Sequence, residues 1–170
     1  MDPEVFTDSS FASMEERRTI GGHGLVTGPH SGVIHAQVKT YKTAVKSIFE
    51  GEAMAASDGQ DTEIYANRVV EELQYPSACG RRVRVDNTAA IDWLQGSVPS
   101  KRSKHVEVRL LYRSRHLVQN GEIVMEHVPT EENIADLLTK SLPRGQYEFL
   151  SMKMLGHNLI RKDLRFWEEV

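Results

Sequence analysis

The chain has 170 residues, a length that suits one domain burying about two thirds of its unfolded surface without covalent staples. Its single cysteine, Cys79, excludes an internal disulfide, and no CxxC or His/Cys cluster has zinc spacing, so a reducing intracellular setting is expected. A formal net charge of -3 argues against a chain that binds polyanions over its whole surface, and with no basic leader and no apolar run near the ~20 residues of a membrane span it reads as soluble and unexported.

In chain order, residues 5–12 (VFTDSSFA) predict a strand that carries Asp8. After a charged turn at 15–18, residues 19–27 predict a glycine-studded second strand, GPHSG turns the chain, and residues 33–39 predict a third. Three strands on short turns imply an antiparallel meander. From 47 to 73, Glu52, Ala55, Ala56, Gly59, Ala66, Val69, Val70 and Leu73 recur at steps of three and four, which predicts a helix with one buried face and Glu52 on it. After the YPSACG break, residues 82–86 (RVRVD) alternate as a strand ending on Asp86, and a short helix is expected over 88–94. Beyond GSVPS a basic helix is expected from about 104 to 118, stopped by Asn120-Gly121. Within 101–116, Lys101, Arg102, Lys104, Arg109, Arg113 and Arg115 face only Glu107, a basic segment in a chain that is not basic overall. Residues 122–128 alternate as a strand. Pro129 and Thr130 then open a helix holding Asp136, with Thr130 and Asn133 as a loose cap. The tail LPRGQYEFLSMKMLG predicts one more packed helix, and Met152 and Met154 suit packing there. The expected division is a domain over 1–145 and a helical tail over 146–170.

Asp8, Glu52, Asp86 and Asp136 thus fall in four separate elements, at junctions where isolated surface charge is uncommon. Carboxylates converging from several elements are what a divalent metal site needs. Two Mg²⁺ ions held by three or four such acids can activate a water and stabilise the leaving oxygen of a phosphodiester. Asp86 suits this role because ligand sites gather beyond the carboxyl ends of strands. Asp136, read at a helix start, would be kept ionised by the helix dipole. Each acid alone has a plainer reading. Asp8 serves equally as an edge residue, Glu52 as a solvated one if the face turns by one position, Asp86 as a helix cap with Thr88 an equal contender, and Asp136 as a surface acid. Taken together and in this order, they favour the metal reading.

At the motif level the chain resembles the ribonuclease H domain of copia-type LTR retrotransposon polyproteins, over nearly its whole length. Phe6-Thr7-Asp8 matches the opening Y-[ST]-D, and Arg17-Arg18-Thr19-Ile20-Gly21-Gly22 loosely matches R-[KR]-S-T-S-G. Residues 48–55 (IFEGEAMA) are a degraded S-S-T-E-A-E-Y-x-A, in which the second acid, Glu52, corresponds to the catalytic glutamate. Val85-Asp86-Asn87-Thr88-Ala89-Ala90-Ile91 matches C-D-N-x-x-A-I, and residues 102–109 (RSKHVEVR) match R-T-K-H-I-[DE]-[IV]-R. Gly121-Glu122-Ile123 and residues 127–140 (HVPTEENIADLLTK) follow the closing motif almost residue for residue.

The resemblance implies an α/β ribonuclease H-like fold, a mixed five-stranded sheet with the first three strands antiparallel, two later strands, and helices on both faces. It implies a metal-dependent endonuclease that hydrolyses the RNA strand of RNA/DNA hybrids during reverse transcription, with Asp8, Glu52, Asp86 and Asp136 as catalytic metal ligands for two Mg²⁺, or Mn²⁺ in their place. Lys101, Arg102, Lys104, Arg109 and Arg113 are expected along phosphates, with Asn87 and His105 as further nucleic-acid contacts. Its expected partners are the hybrid and the reverse transcriptase domain of the same polyprotein, without a membrane, in the cytoplasm, virus-like particles or the nucleus. Two departures stand out. Residues 128–132 leave no place for the mobile histidine that other ribonucleases H carry before the fourth acid, His105 being the nearest candidate, and Phe49 and Gly51 depart from the helix motif. The latter supports an alternative, a decayed domain that binds nucleic acid or packs on the reverse transcriptase. Another nuclease or an integrase on the same fold fits the closing motif less well.

Overall fold

Alternation along the first strand decides which layers form. The computed structural model describes residues 2–11, 18–28, 31–42, 45, 47–75, 80–96 and 108–157, the last with side chains from 112 onward. In strand β1 (Glu4–Ser10), Val5 joins a core with Leu25, Ala53, Ala56, Val83, Val85, Leu94 and Met125. Its neighbour Phe6 packs on the other face against Val26, Ile134, Phe149 and Leu150. Successive side chains of a strand point to opposite faces, so one strand anchors two cores.

Strands β2 (Ile20–Val26) and β3 (His35–Thr40) continue from β1 as the expected antiparallel meander. Strand β4 (Arg82–Val85) lies parallel to β1 on its other side, and β5 (Val124–His127) lies parallel to β4, giving the order β3-β2-β1-β4-β5. Helices α1 (Ile48–Glu72), α2 (Thr88–Gln95) and α3 (Val108–Gln119) cover the Val5 face. The single-turn α4 (Asp136–Thr139) and α5 (Arg144–Met154) cover the Phe6 face. No helix among the described residues is long and apolar enough to cross a membrane.

Helix α1 starts where Ser47 accepts a hydrogen bond from the Glu50 amide at 3.2 Å, an N-cap that satisfies one orphan donor of the first turn. It lies close on the sheet because a Cβ at Gly59 would collide with the Thr7 methyl. Its predicted face holds through Val70, but Val69 and Leu73 are 37% and 61% exposed. Both line an apolar groove between α1 and β3. The helix expected from Pro129 onward is broken into a 3-10 turn (Thr130–Glu132), an extended Asn133 and α4. Cys79 and residues 158–170 of the predicted tail lie outside the described residues.

One acid is buried away from the sheet ends. Glu63 is 0% exposed, accepts from the Asn67 amide, and keeps Oε2 without a hydrogen-bond partner among the described residues. Burial pushes its carboxyl up to about 8 from 4.5, against the Arg81 charge and the Asn67 hydrogen bond. A folded pKa raised in this way stabilises the fold fully below pH 4.5 and loses that contribution as pH rises through about 8. Glu63→Gln keeps an acceptor for Asn67 and removes the titration. The loss of stability between about pH 5 and 8 should therefore be shallower than in wild type, by at most about 1.4 kcal/mol per pH unit. Parallel pH profiles of denaturant midpoints would show that Glu63 does not hold its proton in the folded chain.

Candidate active site

Parallel pairing of β1 and β4 aligns Thr7 with Val85, so Asp86, the first residue past β4, stands beside Asp8, which is still within β1 and paired with Gly22 of β2. The third carboxylate arrives from the other direction. Asn133, fully buried, donates from Nδ2 to the Thr7 carbonyl at 3.0 Å and accepts at Oδ1 from the Ala135 amide at 3.2 Å. This pins the chain to β1 and starts α4 at Asp136. The new turn fits over β2 because Gly22, the partner of Asp8, has no side chain; a Cβ there would stand 2.8 Å from the Thr139 methyl. One oxygen from each of Asp8, Asp86 and Asp136 then lies within 4.8 Å of the others.

Glu52 reaches the group from the α1 face. Its Oε1 accepts from the Ser9 hydroxyl at 3.0 Å and the Ser9 amide at 3.3 Å, and its Oε2 is buried without a hydrogen-bond partner among the described residues. Glu50, the other acid of that motif, lies in the capped first turn. Lys140, the residue after α4, gives Nζ to Asp8 Oδ1 at 2.8 Å and Asp136 Oδ1 at 2.9 Å and stands 3.8 Å from Asp86 Oδ2. The Thr139 hydroxyl donates to the other oxygen of Asp8. Beside these acids opens a cavity of about 390 Å³ lined also by Ser10, Phe11, Ile48, Asn87 and Thr130.

Crowding governs the electrostatics. Burial, followed by repulsion from Asp8 and Asp86, pushes Glu52 up to about 8. Burial also raises Asp8 and takes Asp136 up to about 6, although Lys140 pulls both down. Burial alone would lower the Lys140 ammonium, but the hydrogen bonds and charges of Asp8 and Asp136 outweigh it and hold it above its ordinary value. Lys140 is the group that pulls the Asp136 carboxyl back toward ionisation, and α4, a single turn, has little dipole to add. An all-oxygen donor set that needs added positive charge suits a hard divalent cation.

Of the predicted site residues, Asp8, Asp86 and Asp136 converge, and Glu52 borders the cavity beside them, near enough to be repelled by Asp8 and Asp86. Asn87 borders the cavity, but its Oδ1 is the N-cap of α2, accepting from Ala90 at 3.1 Å. Arg113 is ion-paired with Asp61 of α1 on the surface. Arg109 belongs to the first turn of α3, and Lys101, Arg102, Lys104 and His105 lie outside the described residues. Ser9, Asn133, Thr139 and Lys140 escaped the sequence reading. For Lys140 a signal existed, since Asp136 and Lys140 are four apart on a predicted helix; Asn133 and Thr139 stand in the closing motif without a role read from it, and Ser9 carried no signal.

The sheet order and the helices on its two faces define a ribonuclease H-like fold. In sequence the chain is similar to part of a retrotransposon Pol polyprotein. It is 30% identical over 157 residues, 89% of its length, to the retrovirus-related Pol polyprotein from transposon TNT 1-94 of Nicotiana tabacum. It spans only 11% of that polyprotein. No protein-family model matches the chain. Among solved structures, the N-terminal RNase H domain of a Mycobacterium tuberculosis protein, solved as a maltose-binding protein fusion, superposes with a TM-score of 0.59 at 15% identity, over 89% of this chain and 97% of that one. LC11-RNase H1, isolated from compost by a metagenomic approach, gives 0.55 at 18% identity over 81% and 91%. The same enzyme has been solved with an RNA/DNA hybrid, giving 0.55 at 15% over 81% and 93%. These structures establish the shared fold.

Proposed function

We propose that the chain is a metal-dependent endonuclease that hydrolyses the RNA strand of RNA/DNA hybrids during retrotransposon reverse transcription. The observation that carries this reading is the convergence of Asp8, Asp86 and Asp136, with Glu52 beside them, at the carboxyl end of a ribonuclease H sheet. Asp8, Glu52, Asp86 and Asp136 would hold the metal, two Mg²⁺ ions or Mn²⁺. The bound ions supply activation of the attacking water and neutralisation of the leaving oxygen. Ser9 orients Glu52, and Thr139 fixes one oxygen of Asp8 so that the other faces the cluster.

The open cavity beside the acids gives the sugar-phosphate backbone access. Asn87 spends Oδ1 on the α2 cap, so its amide nitrogen is the atom we assign to a polar contact with the RNA. Lys101, Arg102, Lys104, His105 and Arg109 supply phosphate contacts, and Arg113 joins them on release from Asp61, a surface pair worth little. The partner in the polyprotein is its reverse transcriptase domain, and the reaction takes place inside the cell, in the cytoplasm, in particles or in the nucleus.

The test is cleavage of a labelled RNA/DNA hybrid and of duplex DNA with Mg²⁺, Mn²⁺, Ca²⁺ or chelator. The RNA strand should be cut in Mg²⁺ and Mn²⁺ while both DNA substrates stay intact. Calcium, larger and satisfied by looser coordination, should support binding with little cleavage. A folded protein, tested also joined to its reverse transcriptase, that binds the hybrid in Ca²⁺ yet never cuts it would be a binding or packing module. Cutting of both strands would point to a different nuclease.

A further inference from the structure

Lys140 stands where the carboxylates meet. Its Nζ bridges Asp8 Oδ1 and Asp136 Oδ1 and lies 3.8 Å from Asp86 Oδ2, and those acids offer the oxygens that cluster within 4.8 Å. The second oxygen of Asp8 accepts from Thr139 and Lys140 holds Oδ1, so both oxygens of Asp8 are already engaged. Among the described residues Lys140 is the one cation in a described ion pair with Asp8, Asp86 or Asp136. An ammonium and a divalent ion cannot share that point. We propose that Lys140 is a tethered counter-cation that competes with the divalent metal for Asp8, Asp86 and Asp136, holding the cluster together until the metal displaces it.

This inference rests on the metal reading above and adds to it. The lysine stem is long and the ammonium is a point charge on a flexible chain, so it leaves without rebuilding the sheet. Its side chain is 32% exposed and borders the same cavity as Asn87 and Thr130, which gives it somewhere to go. A displaced Lys140 would stand at the mouth of the site. A fixed arginine fork or an apolar residue would not allow this exchange.

The test compares wild type with Lys140→Met and Lys140→Gln, without nucleic acid. Calorimetric titration with Mn²⁺ should show at least tenfold tighter binding in both variants, while their melting temperatures in chelator fall below that of wild type. Because a variant with four uncompensated acids can fail to fold, a second measurement uses wild type alone. Acylation of lysines, read by mass spectrometry, should label Lys140 slowly in chelator and several times faster in Mg²⁺, with Lys39 as an internal standard. Equal Mn²⁺ affinities together with unchanged Lys140 labelling would overturn the counter-cation role and leave the metal site standing. Weaker binding in the variants would overturn it too, making Lys140 a support of the ligands. Absence of Mn²⁺ binding in wild type and variants alike would sink both this inference and the metal reading.

Discussion

Asp86→Asn should stop hybrid hydrolysis and leave the fold intact. The substitution keeps the shape of the side chain and removes a negative charge from the point where three acids converge. Metal charge stabilisation in such a site is worth several kcal/mol. At about 1.4 kcal/mol per decade, losing it lowers the rate roughly a thousandfold or more. Stability should move the other way or not at all. Asp86 is 3.8 Å from Lys140, whereas Asp8 and Asp136 hold that lysine at 2.8 and 2.9 Å, and Asp86 adds repulsion to Glu52, Asp8 and Asp136. Removing its charge relieves crowding in the metal-free protein. Single-turnover cleavage and a thermal melt decide the matter together: wild-type turnover by a folded Asp86→Asn protein would remove Asp86 from the metal site.

Asn133→Leu should damage stability and rate at once, although Asn133 touches no substrate. The side chain is 0% exposed and joins the residue before Asp8 to the turn that begins at Asp136. Leucine fills a similar volume but leaves the Ala135 amide without its acceptor and the Thr7 carbonyl without this donor. Each buried group stripped of its partner costs about 1–3 kcal/mol. The sum is roughly 2–6 kcal/mol, a drop on the order of 10 °C for a chain of this size. With Asp136 no longer held against β1, kcat should fall while KM for the hybrid, set by the rest of the surface, stays close to wild type. Near-normal melting would show that the Thr7 bond is dispensable. A rise in KM alone would make Asn133 part of the binding surface instead.

Local patterns in the sequence carried much of this protein. The strand of Asp8, the capped helix from Ser47 and the strand ending at Asp86 are each visible over a few residues, because two-residue and three-to-four-residue spacings report which side of an element is buried. The closing motif marked Asp136 for the same reason, as a contiguous string. What the motif could not show is the break at Asn133, since the hydrogen bond that stops the helix runs to Thr7, 126 residues away, and outweighs the local preference of EENIADLLTK for one helix. The choice of Glu52 over Glu50 rests on resemblance and on the helical period that puts Glu52 on the buried face, whereas its contact with Ser9 is a product of packing. Lys140 shows the limit most clearly. Its spacing from Asp136 is local, but its contacts with Asp8 and Asp86 exist only because a parallel strand pair and a folded-back turn bring three distant segments to one point, and the charge balance of the site is a property of that point alone.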